Sequence, residues 1–131
     1  MAGTVDTCLL IDLENGAPRA RTIFEGLMIE SGGLMLTAPV LAEFLTGFEL
    51  SERKPRQLDL EQFLQSAIII PFDGVAARVY AREVARLKRE GTPAKVMDAE
   101  IAACAIAYNL ELVTRDARGF PRFQGLRLRM V

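Results

Sequence analysis

Residues 110–116 read Leu-Glu-Leu-Val-Thr-Arg-Asp, a short and mostly apolar run that ends in a charged pair. Such a run predicts a buried strand over residues 110–114, with Asp116 just beyond its carboxyl end. Residues 96–108, directly before it, are apolar on nearly every side, which predicts a buried helix. A helix that leads straight into a parallel strand runs back across the sheet. The start of this helix, where Asp98 lies, and Asp116 should therefore meet at one edge of the sheet.

Short apolar runs and helical patterns also alternate along the rest of the chain. Strand-like runs occupy residues 3–6, 34–37, 67–71 and, as a sheet edge, 126–130. Helical patterns occupy residues 19–30, 39–50, 56–65 and 75–89. Strands separated by helices imply right-handed crossovers and parallel pairing. The sequence therefore predicts an α/β fold, a three-layer α/β/α sandwich with a central, mainly parallel sheet, in one domain over residues 1–131.

The composition restricts the chemistry that the chain can perform. It contains no histidine, which excludes Ser-His and Cys-His nucleophilic catalysis and imidazole acid–base chemistry. Its two cysteines, Cys8 and Cys104, lack Cys-x-x-Cys spacing and are predicted to be small core residues. A hydrolase built on this chain must therefore work through carboxylates, and carboxylates of this kind commonly hold a metal ion.

Apolar segments and charge indicate where the protein acts. The longest apolar runs are far below the roughly 18 residues that a membrane-spanning helix needs, and the N-terminus lacks the order of a signal peptide. We therefore expect a cytoplasmic protein with no membrane partner. Residues 1–77 carry five Lys or Arg against eleven Asp or Glu, whereas residues 78–131 carry eleven against six. Such asymmetry can accompany nucleic-acid binding, although folding can interleave the two halves.

Three aspartates are predicted to converge at the carboxyl edge of the sheet. Asp6 and Asp116 each follow a predicted strand, and Asp98 begins a predicted helix. Ligand sites of open parallel sheets lie beyond this edge. Taken singly, each residue could be an N-cap or a turn residue. Together they would repel one another unless they share a divalent cation, and ligation by oxygen alone suits Mg²⁺ or Mn²⁺.

Two glutamates are less clearly placed by pattern. Glu43 falls off the centre of the apolar face of its helix, where a solvated side chain is the ordinary interpretation. Glu100 lies nearly opposite Asp98 on the helical projection, whereas Asp98 shares its face with Ala102 and Ala105. Glu100 is therefore expected to support the site indirectly or to lie at an interface.

Four segments, taken in order, carry a family resemblance. They are residues 5–12 (Val-Asp-Thr-Cys-Leu-Leu-Ile-Asp), 41–47 (Leu-Ala-Glu-Phe-Leu-Thr-Gly), 98–103 (Asp-Ala-Glu-Ile-Ala-Ala) and 112–120 (Leu-Val-Thr-Arg-Asp-Ala-Arg-Gly-Phe). Their order and spacing resemble those of the PIN-domain nucleases and, within them, the VapC-type toxins of toxin–antitoxin pairs. The resemblance covers essentially the whole chain.

The resemblance implies a set of site residues. The acidic quartet is Asp6, Glu43, Asp98 and Asp116, and its three aspartates, which the sheet topology also supports, are the expected metal ligands. The position of Glu43 off the apolar face of its helix suggests that it reaches the metal through water. The resemblance also implies that Thr114 lends a nearby hydroxyl. Thr7 and Glu100 are the other residues expected to support the site indirectly. Cys8 occupies a position where Asn or Ser is often found, which puts one local hydrogen bond in doubt.

The resemblance also implies an activity and partners. Such proteins hydrolyse RNA phosphodiester bonds with a water activated by Mg²⁺ or Mn²⁺, and leave 5′-phosphate and 3′-hydroxyl ends. They are usually homodimers held by a small antitoxin protein, whose C-terminal segment enters the acidic groove. We expect both an RNA substrate and these protein contacts for this chain.

Several basic and aromatic residues are candidates for RNA contact. Arg115, Arg118 and Arg122 follow the strand that delivers Asp116, whereas Arg82 and Arg86 belong to a basic stripe on the helix over residues 75–89. A phosphate track would have this spacing, and so would a solvated helix face. Aromatic residues could stack on bases or pack in the core, namely Tyr80, Phe120 and Phe123.

The residues bear on two other functions. A phosphatase of the haloacid-dehalogenase type needs a second aspartate two residues after the first, where this chain has Cys8. A catalytically silent PIN-like module that binds RNA or regulates a partner remains an alternative, although loss of acids would be its signature and all four acids are present.

Overall fold

The computed structural model describes residues 2–51, 64–116 and 118–131. Within them the helices are α1 (Thr7–Glu14), α2 (Pro18–Ser31), α3 (Ala38–Leu50), α4 (Gly74–Arg89) and α5 (Val96–Ala107). The strands are β1 (Gly3–Val5), β2 (Met35–Thr37), β3 (Ile68–Ile70), β4 (Glu111–Thr114) and β5 (Arg127–Met130), with a 3₁₀ turn at Phe120–Arg122. No helix in these described ranges is long and apolar enough to cross a membrane.

All strand pairings of the described residues are parallel. β4 lies between β1 and β5, and β2 pairs with β3. β1 also lies beside β2, where the Thr4 hydroxyl donates to the Met35 carbonyl at 2.9 Å. Helix α2 packs on β1, α3 packs on β2, and α5 packs on both β2 and β4. The predicted α/β fold with a central parallel sheet is confirmed.

Most element boundaries agree with the sequence to within one residue, but α1 was not predicted. This helix of eight residues follows β1 after a single residue, Asp6. Its apolar residues run on from the strand without a separate polar face, and Leu9, Leu10 and Leu13 are buried. So short a helix depends on tertiary packing more than on its own periodicity. The helix predicted over residues 56–65 lies outside the described residues except for its last two, which are helical.

The core contains a buried cysteine and a pair of packed phenylalanine rings, both of which the sequence allowed. Cys104 is fully buried and donates to the Pro71 carbonyl at 3.7 Å, and burial raises the pKa of its thiol to about 12. Phe120 and Phe123 are each 4% exposed, with ring centroids 6.5 Å apart. These two rings therefore serve packing and are not available to stack on bases.

A buried acid ties α4 to the segment that precedes β5. Glu83 is 2% exposed and accepts hydrogen bonds from Arg86 Nη2 at 2.9 Å and from the Gln124 N–H at 2.6 Å. Burial alone would raise the pKa of Glu83, but these hydrogen bonds outweigh it and hold the pKa below its ordinary value. Arg86 also donates to the Arg122 carbonyl at 2.6 Å. Arg86 therefore belongs to a group formed by Glu83, Arg86 and the backbone of Arg122 and Gln124, called here the Glu83 cluster.

Glu83→Ala should lower the free energy of unfolding by about 3 kcal/mol, because it leaves a half-buried guanidinium and a backbone N–H without their acceptor. The matched control is Glu90→Ala, which removes the exposed partner of the same arginine and should cost less than about 0.5 kcal/mol. Urea denaturation at pH 7 measures both, and equal costs would contradict this account.

The Glu83 contribution should also depend on pH. Its pKa is lower in the folded than in the unfolded chain, so its stabilisation is present above the unfolded pKa and is lost as pH falls through the folded pKa. The stability gap between the wild type and Glu83→Gln should therefore narrow toward acid pH. A gap that stays constant down to the acid limit of folding would show that the carboxylate charge has no such role.

Candidate active site

Asp6 lies immediately beyond β1 and is 6% exposed. It occupies the N-cap position of α1, but its side chain forms no capping hydrogen bond. Instead, Oδ1 accepts from the Cys8 thiol at 2.6 Å and Oδ2 accepts from the Thr114 hydroxyl. Asp6 therefore lies at the N-cap position without capping the helix, and its carboxylate is held toward the end of β4.

Thr114 joins two acids across neighbouring strand ends. Its buried hydroxyl donates to Asp6 and accepts the Asp116 N–H at 3.0 Å. Asp116 Oδ1 in turn accepts from the Arg118 N–H at 3.0 Å and from Arg118 Nε at 3.2 Å. The Arg118 side chain and backbone hydrogen bonds hold the pKa of Asp116 below its ordinary value. Asp116 thus also has the turn-forming role that sequence allowed.

Asp98 lies in the first turn of α5, whose N-cap is Lys95. Partial burial raises the pKa of Asp98, the Lys95 charge opposes this, and the charges of Glu43, Asp116 and Asp6 raise it further. The pKa of Asp98 is therefore affected by the charges of the other three acids of the predicted quartet. The buried alanines that share its helical face allow the close packing expected there, namely Ala102 and Ala105.

These side chains line one cavity of about 460 Å³. All four predicted acids line it, and Glu100 does not. Gly119 has φ +92°, and a Cβ there would lie 3.4 Å from Asp98 Oδ2, so glycine suits both the backbone and the available space. The lining residues are Asp6, Thr7, Cys8, Glu43, Lys95, Asp98, Ile101, Asp116, Arg118, Gly119, Phe120 and Arg122.

The donor set of the cavity fits a hard divalent cation. It offers carboxylate oxygens and also the Thr7 hydroxyl, which is buried and has no hydrogen-bond partner among the described residues. In the described ranges, however, no three Asp, Glu or Cys side chains are placed to hold one metal ion together. Ligation by Asp6, Asp98 and Asp116 therefore stays a prediction, as do the roles of Glu43 and of the supporting residues.

Cys8 differs from its predicted role as a small core residue. It is half-buried, lines the cavity and donates to Asp6, because α1 turns it toward the acid two residues earlier. Burial, together with the hydrogen bond and charge of Asp6, raises the pKa of its thiol to about 11. Cys8 therefore makes a local hydrogen bond to Asp6 at the position where Asn or Ser is often found.

The arginines singled out by sequence have different surroundings. Arg118 and Arg122 line the cavity. Arg115 instead pairs with Asp12, with Nε 2.8 Å from Oδ2. Arg82 is exposed on α4 and Arg86 belongs to the Glu83 cluster, and neither lines the cavity.

Lys95 lines the cavity but was not singled out by sequence. The available signal was its position three residues before Asp98 and immediately before the helix predicted over residues 96–108.

The whole chain resembles proteins of one family. A family model described as PIN domain matches residues 4–126. The chain is 30% identical over 107 residues to tRNA(fMet)-specific endonuclease VapC of Shigella flexneri, covering 81% of each protein. It is 26% identical over 126 residues to Ribonuclease VapC1 of Rickettsia felis, covering 93% of this chain and 90% of that protein.

Solved structures show the same relationship. The crystal structure of VapBC2 from Rickettsia felis, bound to a DNA fragment from its promoter, superposes with a TM-score of 0.87 at 27% identity, covering 100% of this chain and 99% of the other. The DNA-bound VapBC structure from Salmonella typhimurium gives a TM-score of 0.82 at 28% identity and covers 98% of both chains. The chain therefore belongs to the PIN-domain nuclease family, in its VapC-type group.

Proposed function

We propose that this protein is an endoribonuclease that depends on Mg²⁺ or Mn²⁺. The observation that carries the proposal is the convergence of four carboxylates, supplied by β1, α3, α5 and the end of β4, on one cavity. The two VapC relatives, one named for tRNA(fMet) and one a ribonuclease, support RNA as the substrate class.

In this proposal Asp6, Asp98 and Asp116 hold the cation, and Glu43, exposed at the rim, contacts it through water. When bound, the cation lowers the pKa of a water molecule and stabilises negative charge on the phosphate. Because no three of the described acids are placed to hold one ion and Asp116 is paired with Arg118, binding of a cation would require side chains of this site to rearrange.

The remaining residues of the site orient these groups. The Thr114 hydroxyl fixes the direction of the Asp6 carboxylate and of the Asp116 backbone. The unpartnered Thr7 hydroxyl is available to bind and orient a water molecule. Attack by water on the phosphorus that breaks the P–O3′ bond leaves a 5′-phosphate and a 3′-hydroxyl, with a proton passing to the departing 3′-oxygen. A structured RNA such as tRNA(fMet) is the substrate that the Shigella relative suggests.

The proposed partner is a small antitoxin protein, because similar structures are VapBC complexes. A second cavity of about 490 Å³ between α1 and α3 is lined by Ile11, Phe44 and Phe48 and shares Glu43 with the acidic cavity. A bound peptide segment could therefore cover apolar surface and reach the acids together. We further propose that the protein forms a homodimer and acts in the cytoplasm as the toxin of such a pair.

One observation favours the silent RNA-binding module as a second candidate. Within the described residues the acids are not arranged to hold an ion, and Asp116 is paired with Arg118. Metal binding and cleavage, measured separately, distinguish the two candidates.

The purified protein should cleave a structured RNA with Mg²⁺ or Mn²⁺ and should stop in EDTA. Asp6→Ala and Asp98→Ala should each lower the cleavage rate by more than about a hundredfold, because each removes a proposed ligand. Glu25→Ala, which removes an exposed acid on α2 outside the cavity, is the control and should stay within about twofold of the wild type. Undiminished cleavage by both aspartate variants would refute the proposed site.

Asp98→Asn should stabilise the metal-free protein by on the order of 0.5–1 kcal/mol, because it removes a half-buried charge that three acids crowd. Saturating Mg²⁺ or Mn²⁺ should then stabilise the wild type by about 2.7 kcal/mol at a hundred times Kd, and the variant much less. Thermal unfolding in EDTA and in metal measures both effects, with Glu25→Gln, an exposed acid on α2 outside the cavity, as the control. A wild-type Tm that neither Mg²⁺ nor Mn²⁺ raises would favour the catalytically silent RNA-binding module.

Expression of the wild type should slow bacterial growth, and co-expression of the small reading frame next to its gene should relieve the effect. Asp98→Ala should be harmless at an equal protein level because it lacks a proposed metal ligand. Growth curves and immunoblots provide the comparison. Harmless overexpression of a protein that cleaves RNA in vitro would count against the toxin role.

A further inference from the structure

Cations as well as acids line the active-site cavity. Of its described lining residues three are basic, namely Lys95, Arg118 and Arg122. A carboxylate-rich wall repels a polyanion, so an RNA backbone can enter only where a cation offsets that repulsion. The three basic residues differ in whether groups of the protein itself already bind their charged side chains.

Both arginines are engaged by the protein itself. Arg122 Nη1 donates to the carbonyls of Thr92 and Pro93 at 2.8 and 3.3 Å, which fastens the loop before α5. Arg118 Nε lies 3.2 Å from Asp116 Oδ1 and offsets the charge of that acid. Neither guanidinium is therefore fully available to a second anion.

Lys95 is placed differently. Its side chain forms no capping hydrogen bond at the start of α5, and it makes no ion pair within 4.0 Å with any described residue. It is exposed, lines the cavity and lies close enough to Asp98 for its charge to act on that carboxyl. Its ammonium thus stands beside the acid cluster without being neutralised by it.

We propose that Lys95 is the phosphate-binding cation of this site and that its ammonium contacts a non-bridging oxygen of the RNA backbone inside the cavity. A lysine ammonium is a compact charge with three rotatable donors, which suits the oxygens of a single phosphate. This inference rests on the proposed ribonuclease function and identifies how the same site attracts its anionic substrate.

Two measurements on the full-length protein test the inference. The first is steady-state cleavage of a structured RNA in Mg²⁺ or Mn²⁺. The second is binding of the same fluorescently labelled RNA in EDTA, followed by anisotropy between about 50 and 300 mM KCl. The variants are Lys95→Ala and Lys95→Arg, and Lys88→Ala on α4 is the matched control because Lys88 is an exposed lysine outside the cavity.

Lys95→Ala should raise KM about tenfold while kcat changes less than about threefold, because the lost contact is made in both the bound and the reacting state. The slope of log affinity against log salt should fall by about one, as for the loss of a single phosphate contact. Lys95→Arg should restore most of both quantities, and Lys88→Ala should leave both unchanged. A purely structural role for Lys95 would not alter the salt slope in this way.

The outcomes separate this inference from the proposed function. If the wild type cleaves RNA and Lys95→Ala behaves like Lys88→Ala in both measurements, the assignment of Lys95 is wrong and the nuclease stands. If the wild type binds RNA but does not cleave it, and Lys95→Ala still lowers the salt slope, the phosphate contact stands and the nuclease proposal fails.

Discussion

The parallel pairing of β1 with β4 is the constraint on which the site depends. Val5 lies opposite Val113, so the next residues, Asp6 and Thr114, emerge together at the carboxyl edge of the sheet. The Asp6 N–H extends the pairing by donating to the Val113 carbonyl at 3.2 Å. A shift of this register by one residue would exchange the two faces of the strand and separate the acid from the hydroxyl that orients it.

The second constraint is electrostatic, because carboxylates gathered on one cavity oppose folding. Asp98 shows the cost most clearly, since burial and three neighbouring acids all disfavour its charged form. Nearby groups compensate: Lys95 opposes the crowding at Asp98, and Arg118 pairs with Asp116. A site that is unfavourable alone and favourable with a cation and an anionic substrate is what metal-dependent phosphodiester chemistry requires. The same crowding makes stability and the proposed activity compete at Asp98.

The sequence predicted the elements whose patterns are local and strong. Helix α5 and strand β4 could be predicted because a long apolar helix and a short apolar strand differ in length and periodicity. Together these two elements predict that Asp98 and Asp116 lie at one edge of the sheet. Glu43 could be assigned only by family resemblance, because its own helix pattern suggests a solvated side chain.

What the sequence did not predict depends on contacts between distant segments. The α1 helix merges with the apolar residues of β1, so Cys8 was placed in the core when it in fact donates to Asp6. Glu83 gave no sign of burial because its helix is rich in charge, and its acceptor role depends on Gln124 forty-one residues away. The position of Lys95 beside the acids could not be predicted from the sequence and follows from the lining of the cavity.

The proposed mechanism requires that water, and not a ribose hydroxyl, attacks the phosphate. Cleavage of a structured RNA in H₂¹⁸O, followed by mass spectrometry of the fragments, identifies the attacking group. Attack by water should place one ¹⁸O atom in the 5′-phosphate of the downstream fragment and leave the upstream 3′-hydroxyl unlabelled. A 2′,3′-cyclic phosphate with a 5′-hydroxyl would contradict it, because those ends arise from attack by the neighbouring ribose.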